Sequence, residues 1–167
     1  IKRVYDDFPQ IGLEVYSDEI VYVYRECEET KRFLTRSYEV VYSLPDEIWQ
    51  RPWIKVLLIG ERELLDKYEP IYRTEYDNGY AVRSGDKYLD VVANGVSKGK
   101  GMLDMAKKIG IEQNNIIAVG DNMNDISMLE VAGISYAVEN AEESVKKIAD
   151  NLAPSNNGSA IAYIINR

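Results

Sequence analysis

Gly120-Asp121-Asn122-Met123-Asn124-Asp125 gathers two carboxylates and two amides in one short loop, directly after the apolar run Ile116-Ile117-Ala118-Val119. Carboxylate oxygens are hard donors that suit Mg²⁺, an ion that keeps several waters and takes one or two protein carboxylates plus phosphate oxygens from a substrate. In a parallel α/β sheet, ligands collect beyond the carboxyl ends of strands, where this loop would lie. The loop also opens a helix, whose N–H groups and positive dipole end favour an anion. A cation and a phosphate could share that corner. Lys98, in Ser97-Lys98-Gly99-Lys100-Gly101, is the second candidate, because an ammonium there could neutralise phosphate or a phosphorylated carboxylate. Taken singly these residues are ordinary. Gly, Asp and Asn favour turns, Asp125 or Asn124 could merely cap a helix, and most lysines are solvated.

Other chemistries fall away by elimination. With no histidine, a Ser-His-Asp or Cys-His unit and a His/Cys zinc site are excluded. Gly95, Gly99 and Gly101 fit neither G-x-x-x-x-G-K-[ST] nor a dinucleotide-binding glycine pattern. Counted from Asp121, a calcium loop needs Asp/Asn, Gly and Glu where Met123, Ile126 and Ala132 stand. The net charge is −8, with 13 Lys/Arg against 19 Asp/Glu in residues 1–90 and 7 against 9 in residues 91–167. Without a basic cluster, nucleic acid is not the expected partner. Cys27 is the only cysteine, so no internal disulfide forms, and a reducing cytoplasmic compartment is expected. No apolar run approaches the ~18 residues of a membrane span, and the start is not a signal peptide.

Two rhythms must position these residues. Residues 1 to about 88 alternate β-branched and aromatic strands, Ile11–Tyr16, Ile20–Tyr24, Trp53–Ile59, Tyr80–Val82 and Tyr88–Val92, with a hairpin turn at Ser17-Asp18-Glu19. Helical spacing predicts helices over Glu28–Tyr38 and Glu61–Tyr72, and Asn78-Gly79 marks a turn. From about residue 89, short apolar strands alternate with helices. One helix over Gly99–Ile109 presents Met102, Leu103, Ala106 and Ile109 and stops at Gly110. Ile116–Val119 reads as a strand buried on both faces. Further helices carry Ile126, Leu129 and Ala132, then Ala141–Asp150 and Gly158–Ile165, with strands at Ile134–Val138 and Leu152–Pro154. The expectation is an α+β domain over 1–88, followed by part of a parallel, doubly wound α/β sheet over 89–167.

In order along the chain, Tyr88-Leu89-Asp90-Val91, Ser97-Lys98-Gly99, Ile116 through Leu129, Ala132-Gly133, Glu139-Asn140-Ala141 and Ser155-Asn156 resemble the C-terminal half of a haloacid dehalogenase superfamily phosphatase, of the Cof-type group acting on sugar phosphates and other small phosphoesters. The resemblance covers about 80 residues. It implies a HAD-like Rossmannoid core with an inserted α+β cap, residues 1–88 being the cap that selects substrate and 89–167 the C-terminal part of the core. By the same resemblance, Lys98 matches the lysine that contacts nucleophile and phosphate, Asp121 the Mg²⁺ ligand, Asn124 a substrate-phosphate contact, and Asp125 the second acidic residue supporting the metal site. Asn140 falls in a nearby loop, with no role assigned. The group's D-x-D-x-[TV] nucleophile motif is not found; Asp6-Asp7-Phe8 has neither its spacing nor a preceding apolar strand. Phosphoryl transfer through an aspartyl-phosphate needs that attacking carboxylate. With Ile1 as first residue, the expectation is an N-terminally truncated Mg²⁺-dependent phosphatase, inactive alone, whose nucleophile lies upstream or on a complementing chain. The alternative is a non-catalytic binding or regulatory relic of the same fold.

Overall fold

The Ser17-Asp18-Glu19 turn does join two strands, and the computed structural model builds a six-stranded sheet around that hairpin. It describes residues 1–35, 39–75 and 79–166. Arg36–Tyr38 of one expected helix, and Asn78 of an expected turn, lie outside the described residues. The chain divides into two compact units, Ile1–Asn94 and Gly95–Arg167.

The first unit runs α1 (Lys2–Asp7), β1 (Gly12–Ser17), β2 (Ile20–Arg25), a 3₁₀ segment (Glu28–Thr35), β3 (Glu39–Val41), a 3₁₀ turn (Asp46–Gln50), β4 (Lys55–Ile59), α2 (Arg62–Glu75), β5 (Gly79–Gly85) and β6 (Tyr88–Ala93). Its strand order is β3-β2-β1-β4-β6-β5, antiparallel except for the β2–β3 pair. Because β6 pairs with both β4 and β5, the break between units falls at Asn94/Gly95, six residues after the boundary expected between 88 and 89.

Period-2 alternation gives the sheet two different faces. Leu13 and Val15 of β1, Val56 and Leu58 of β4, and Leu89 of β6 pack with Val4 of α1 and Leu65, Tyr68 and Tyr72 of α2. The opposite face carries Glu14, Tyr16, Lys55 and Asp90, brought together by the register of β1, β4 and β6. Glu14 is fully buried, and a buried carboxylate is costly unless paired. Its Oε2 accepts from Arg32 Nη2 at 2.6 Å and from the Tyr16 hydroxyl at 2.8 Å. Arg32 reaches it from the 3₁₀ segment, which is seated on the sheet by Phe33 against Val21 and Val23. Burial, together with the Glu14 carboxylate, pushes the Tyr16 phenol above its ordinary range. Beside it Lys55 Nζ donates to Asp90 Oδ1 at 2.8 Å.

The second unit runs α3 (Lys98–Ile109), a 3₁₀ turn (Gln113–Asn115), β7 (Ile117–Gly120), a 3₁₀ turn (Met123–Asp125), α4 (Ile126–Leu129), β8 (Ile134–Val138), α5 (Glu143–Lys146), β9 (Asn151–Ala153), a 3₁₀ turn (Asn156–Gly158) and α6 (Ala160–Ile165). The sheet β7-β8-β9 is wholly parallel. Its core uses small side chains, Ala118, Ala137, Ala141, Ala153 and Ala160, around Leu129, Val145 and Ile164.

Three expectations change here. Among the described residues β7 pairs only with β8, so it is an edge, and Ile117 is 52% exposed where burial on both faces was expected. Ala106 of α3 is buried, but Ile109, expected on the same side, is 60% exposed. The helices after β7 and β8 hold only 4 residues each, shorter than the apolar spacing suggested.

Candidate active site

Gly120 ends β7, and the chain turns sharply back on itself. A Cβ at Gly120 would stand 2.6 Å from the Cβ of Asp125, so only glycine lets the turn close. Asn122 is the N-cap of the turn and forms a capping box with Asp125. Asp125 Oδ2 accepts from the backbone N–H of Asp121 at 2.9 Å and of Asn122 at 3.1 Å. The capping role that the loop's composition allowed is therefore real. It does not exhaust Asp125, whose other oxygen takes the Lys98 ammonium. Lys98 Nζ also donates to Asn124 Oδ1 at 3.3 Å. Asp125 is 3% exposed. That burial pushes its carboxyl upward, but the Lys98 ammonium and the two backbone N–H groups outweigh it and hold the group below its ordinary value.

Lys98 reaches this corner because α3 starts beside it. Ser97 caps the helix, its Oγ accepting from Lys100 N at 3.1 Å, and Gly110 stops it with φ 75° in the left-handed region. Gly99 N–H donates to Ser127 Oγ at 3.1 Å, and a Cβ on Gly99 would come within 2.1 Å of the Ser127 carbonyl oxygen. The Ser97-Lys98-Gly99 sequence is thus a cap, a cation and a backbone approach.

Asp121 stands apart from this cluster. It is exposed, and its carboxylate has no hydrogen-bonding or ionic partner among the described residues. Its carbonyl accepts from Glu142 N at 2.9 Å, which ties the loop after β8 to the loop after β7. In that second loop Asn140 Oδ1 accepts from Asn156 N at 3.0 Å. Among the sequence candidates, Lys98, Asn124 and Asp125 meet directly, Asp121 presents its carboxylate outward from the same loop, and Asn140 makes a structural tie. Asn122 and Ser127 were not singled out from sequence: an Asn at an N-cap and a Ser on a short helix are too common to signal anything unaided.

The second unit thus brings the Lys98 ammonium, the Asn124 amide and the Asp125 carboxylate together beside the carboxyl end of β7, in the loop that also carries the exposed Asp121. Residues 1–165 match the family of haloacid dehalogenase-like hydrolases, and the chain belongs to it. A phosphoglycolate phosphatase of Archaeoglobus fulgidus is 34% identical over 136 residues, 81% of this chain and 57% of that protein. The crystal structure of SMU.1108c from Streptococcus mutans superposes with TM-score 0.82 at 24% identity over 99% of this chain and 64% of that one. A subclass IIB sugar phosphatase, BT4131, superposes with TM-score 0.77 at 22% identity, covering 99% of this chain and 64% of its own. At those identities the superpositions show the fold alone, a HAD-like mixed α/β fold. The chain spans 48% and 63% of two further curated relatives. No helix among the described residues is long and apolar enough to cross a membrane.

Proposed function

We propose that this chain carries the metal- and phosphate-binding side of a Mg²⁺-dependent phosphatase for small phosphomonoesters such as sugar phosphates. The observation that carries this reading is the meeting of Lys98, Asn124 and Asp125 beneath a loop whose Asp121 carboxylate is left free. In this reading the first unit, residues 1–94, is the cap that selects the leaving group, and the second, residues 95–167, is the C-terminal part of the core.

The donor set fits Mg²⁺. Mg²⁺ characteristically takes one or two carboxylates and completes its shell with water and phosphate. Asp121 is the carboxylate available for ligation. Both oxygens of Asp125 are already engaged, so its part is to hold the Asp121 and Asn122 N–H groups and the Lys98 ammonium in place. When bound, Mg²⁺ supplies charge neutralisation at the phosphoryl oxygens.

Lys98 offsets the negative charge of the bound phosphoryl group. Asn124, whose Oδ1 faces Lys98, turns its amide N–H groups to a phosphate oxygen. The attacking carboxylate is assigned to a group outside residues 1–167: its oxygen bonds to phosphorus, the substrate oxygen leaves and takes a proton, and water then hydrolyses the aspartyl-phosphate to release inorganic phosphate. Among the described residues β7, whose carboxyl end carries the loop, pairs on one side only, and this supports such a contribution.

The test uses the chain itself. Mg²⁺ and inorganic phosphate should bind together, with phosphate affinity falling at least tenfold in Lys98→Met, while a homogeneous sample turns over no p-nitrophenyl phosphate. Clear Mg²⁺-dependent turnover would place the nucleophile inside residues 1–167, and unchanged phosphate affinity in Lys98→Met would remove the phosphate-binding assignment.

A further inference from the structure

The first turn of α3 has backbone N–H groups with no partner inside the helix, as every helix does. Lys100 N–H is taken locally by Ser97 Oγ, whereas Gly99 N–H crosses to Ser127 Oγ, 28 residues away. Beside that bond the backbones of α3 and α4 approach closely, and a Cβ on Gly99 would foul the Ser127 carbonyl. Lys98 sits one residue before Gly99, and its partners Asn124 and Asp125 lie just before Ser127. Two crossings therefore bind the same two segments: an ionic one through the Lys98 side chain and a neutral one through the Gly99 backbone. A lysine reaches its partner on a four-carbon stem with many rotamers, so fixing the backbone beside it narrows where the ammonium can go.

We infer that Ser127 is a positioning residue for Lys98: its hydroxyl, by accepting from Gly99 N–H, fixes the first turn of α3 so that the ammonium is delivered to Asn124 and Asp125. This rests on the phosphate-binding role proposed for Lys98, but it concerns where the ammonium is held and not what it binds. Ser127 touches no substrate in this scheme.

The experiment is NMR of the lysine ammonium groups in the 167-residue chain. An ammonium held in an ion pair exchanges its protons slowly enough to give a distinct signal, assigned to Lys98 by its loss in Lys98→Arg. Ser127→Ala should shift that signal to the solvated lysines, and the Gly99 amide proton should exchange about fivefold faster, the equivalent of one ordinary hydrogen bond. Ser127→Thr, which keeps the hydroxyl, should retain the Lys98 signal, and Ser127→Val, of nearly the same shape without it, should lose it. The Thr and Val pair preserves the comparison if the alanine variant unfolds. An unchanged Lys98 signal in Ser127→Val, or no distinct Lys98 signal in the unsubstituted chain, overturns the inference. Because the readout needs neither phosphate nor turnover, a failure of the phosphatase reading would appear separately, as absent phosphate binding beside an intact Lys98 signal.

Discussion

Both units bury charge, and they do so to different ends. In the first, Glu14 sits at zero exposure in a central strand, and Arg32, with 21% of its side chain exposed, and Tyr16 close over it, so the carboxylate is sealed. In the second, Asp125 is almost as buried, but its ammonium partner Lys98 stays about half exposed, and the neighbouring Asp121 carboxylate faces out. A sealed pair can only stabilise or specify a fold. A pair open on one side can exchange its partner for a ligand. The cores differ in step: large Leu, Val and Tyr side chains under the six-stranded sheet, and alanines around the three-stranded one, where loops at the strand ends are held by short polar contacts. The difference teaches that burial of a charge does not by itself mark a site; access to its partner does.

The largest effect is expected at the sealed pair. Arg32→Ala leaves the Glu14 carboxylate buried with only the Tyr16 hydroxyl, which should cost about 3 to 5 kcal/mol in urea unfolding of the first unit. Replacing Glu14 and Arg32 together by Leu and Met should recover most of that loss, since an apolar pair of similar volume avoids desolvating two ions. A loss below about 1 kcal/mol for the single change would mean that the pair behaves as a solvated surface bridge, and the contrast between the units would fail.

At the open pair, Asp125→Ala strips an acceptor from Lys98 and from two backbone N–H groups, for an expected loss of about 2 to 3 kcal/mol. The same carboxylate makes the second unit acid-sensitive. Its folded value lies below the ordinary 3.8, so its contribution is present above 3.8 and drains away as pH falls through the lower folded value. Asp150, held below its ordinary value by the Ser135 hydroxyl and backbone N–H, acts in the same direction. Stability measured between pH 6 and about pH 2 should therefore fall less steeply in Asp125→Ala than in the parent, and parallel curves would remove Asp125 as a contributor. Ser97→Ala is smaller, about 1 kcal/mol for a lost helix cap, with part of the effect appearing as fraying of the α3 first turn that carries Lys98.

Sequence carried the second unit further than the first. The ordered pieces from Ser97 to Asn156 are local: a cap, a glycine turn and a short apolar strand each announce themselves within a few residues, and the structure joins Lys98 to Asn124 and Asp125. What was not legible is what depends on distant pairing. Glu14 looks like a polar residue alternating toward solvent, and only the arrival of Arg32 from a 3₁₀ segment covers it. The parallel addition of β3 to β2 has no local signal, and neither does the openness of β7, because an apolar tetrapeptide reads the same with one neighbour or two. Ser127 was invisible for a related reason, since its hydroxyl matters only through an amide from another helix.

The smallest stability effect is expected where the functional claim is strongest. Asp121 is exposed and its carboxylate contacts nothing among the described residues, while its structural contribution, the carbonyl that accepts from Glu142 N–H, belongs to the backbone and survives substitution. Asp121→Ala should therefore leave unfolding free energy within about 0.5 kcal/mol of the parent. Calorimetric titration with Mg²⁺ in the presence of phosphate should nevertheless lose its binding heat. That combination, a silent change in stability with a lost ligand, is what an open carboxylate predicts and what the sealed Glu14 cannot give. Undiminished Mg²⁺ binding in Asp121→Ala would leave the metal to other ligands, and a large stability loss would make Asp121 a structural residue like Glu14, collapsing the distinction between the two units.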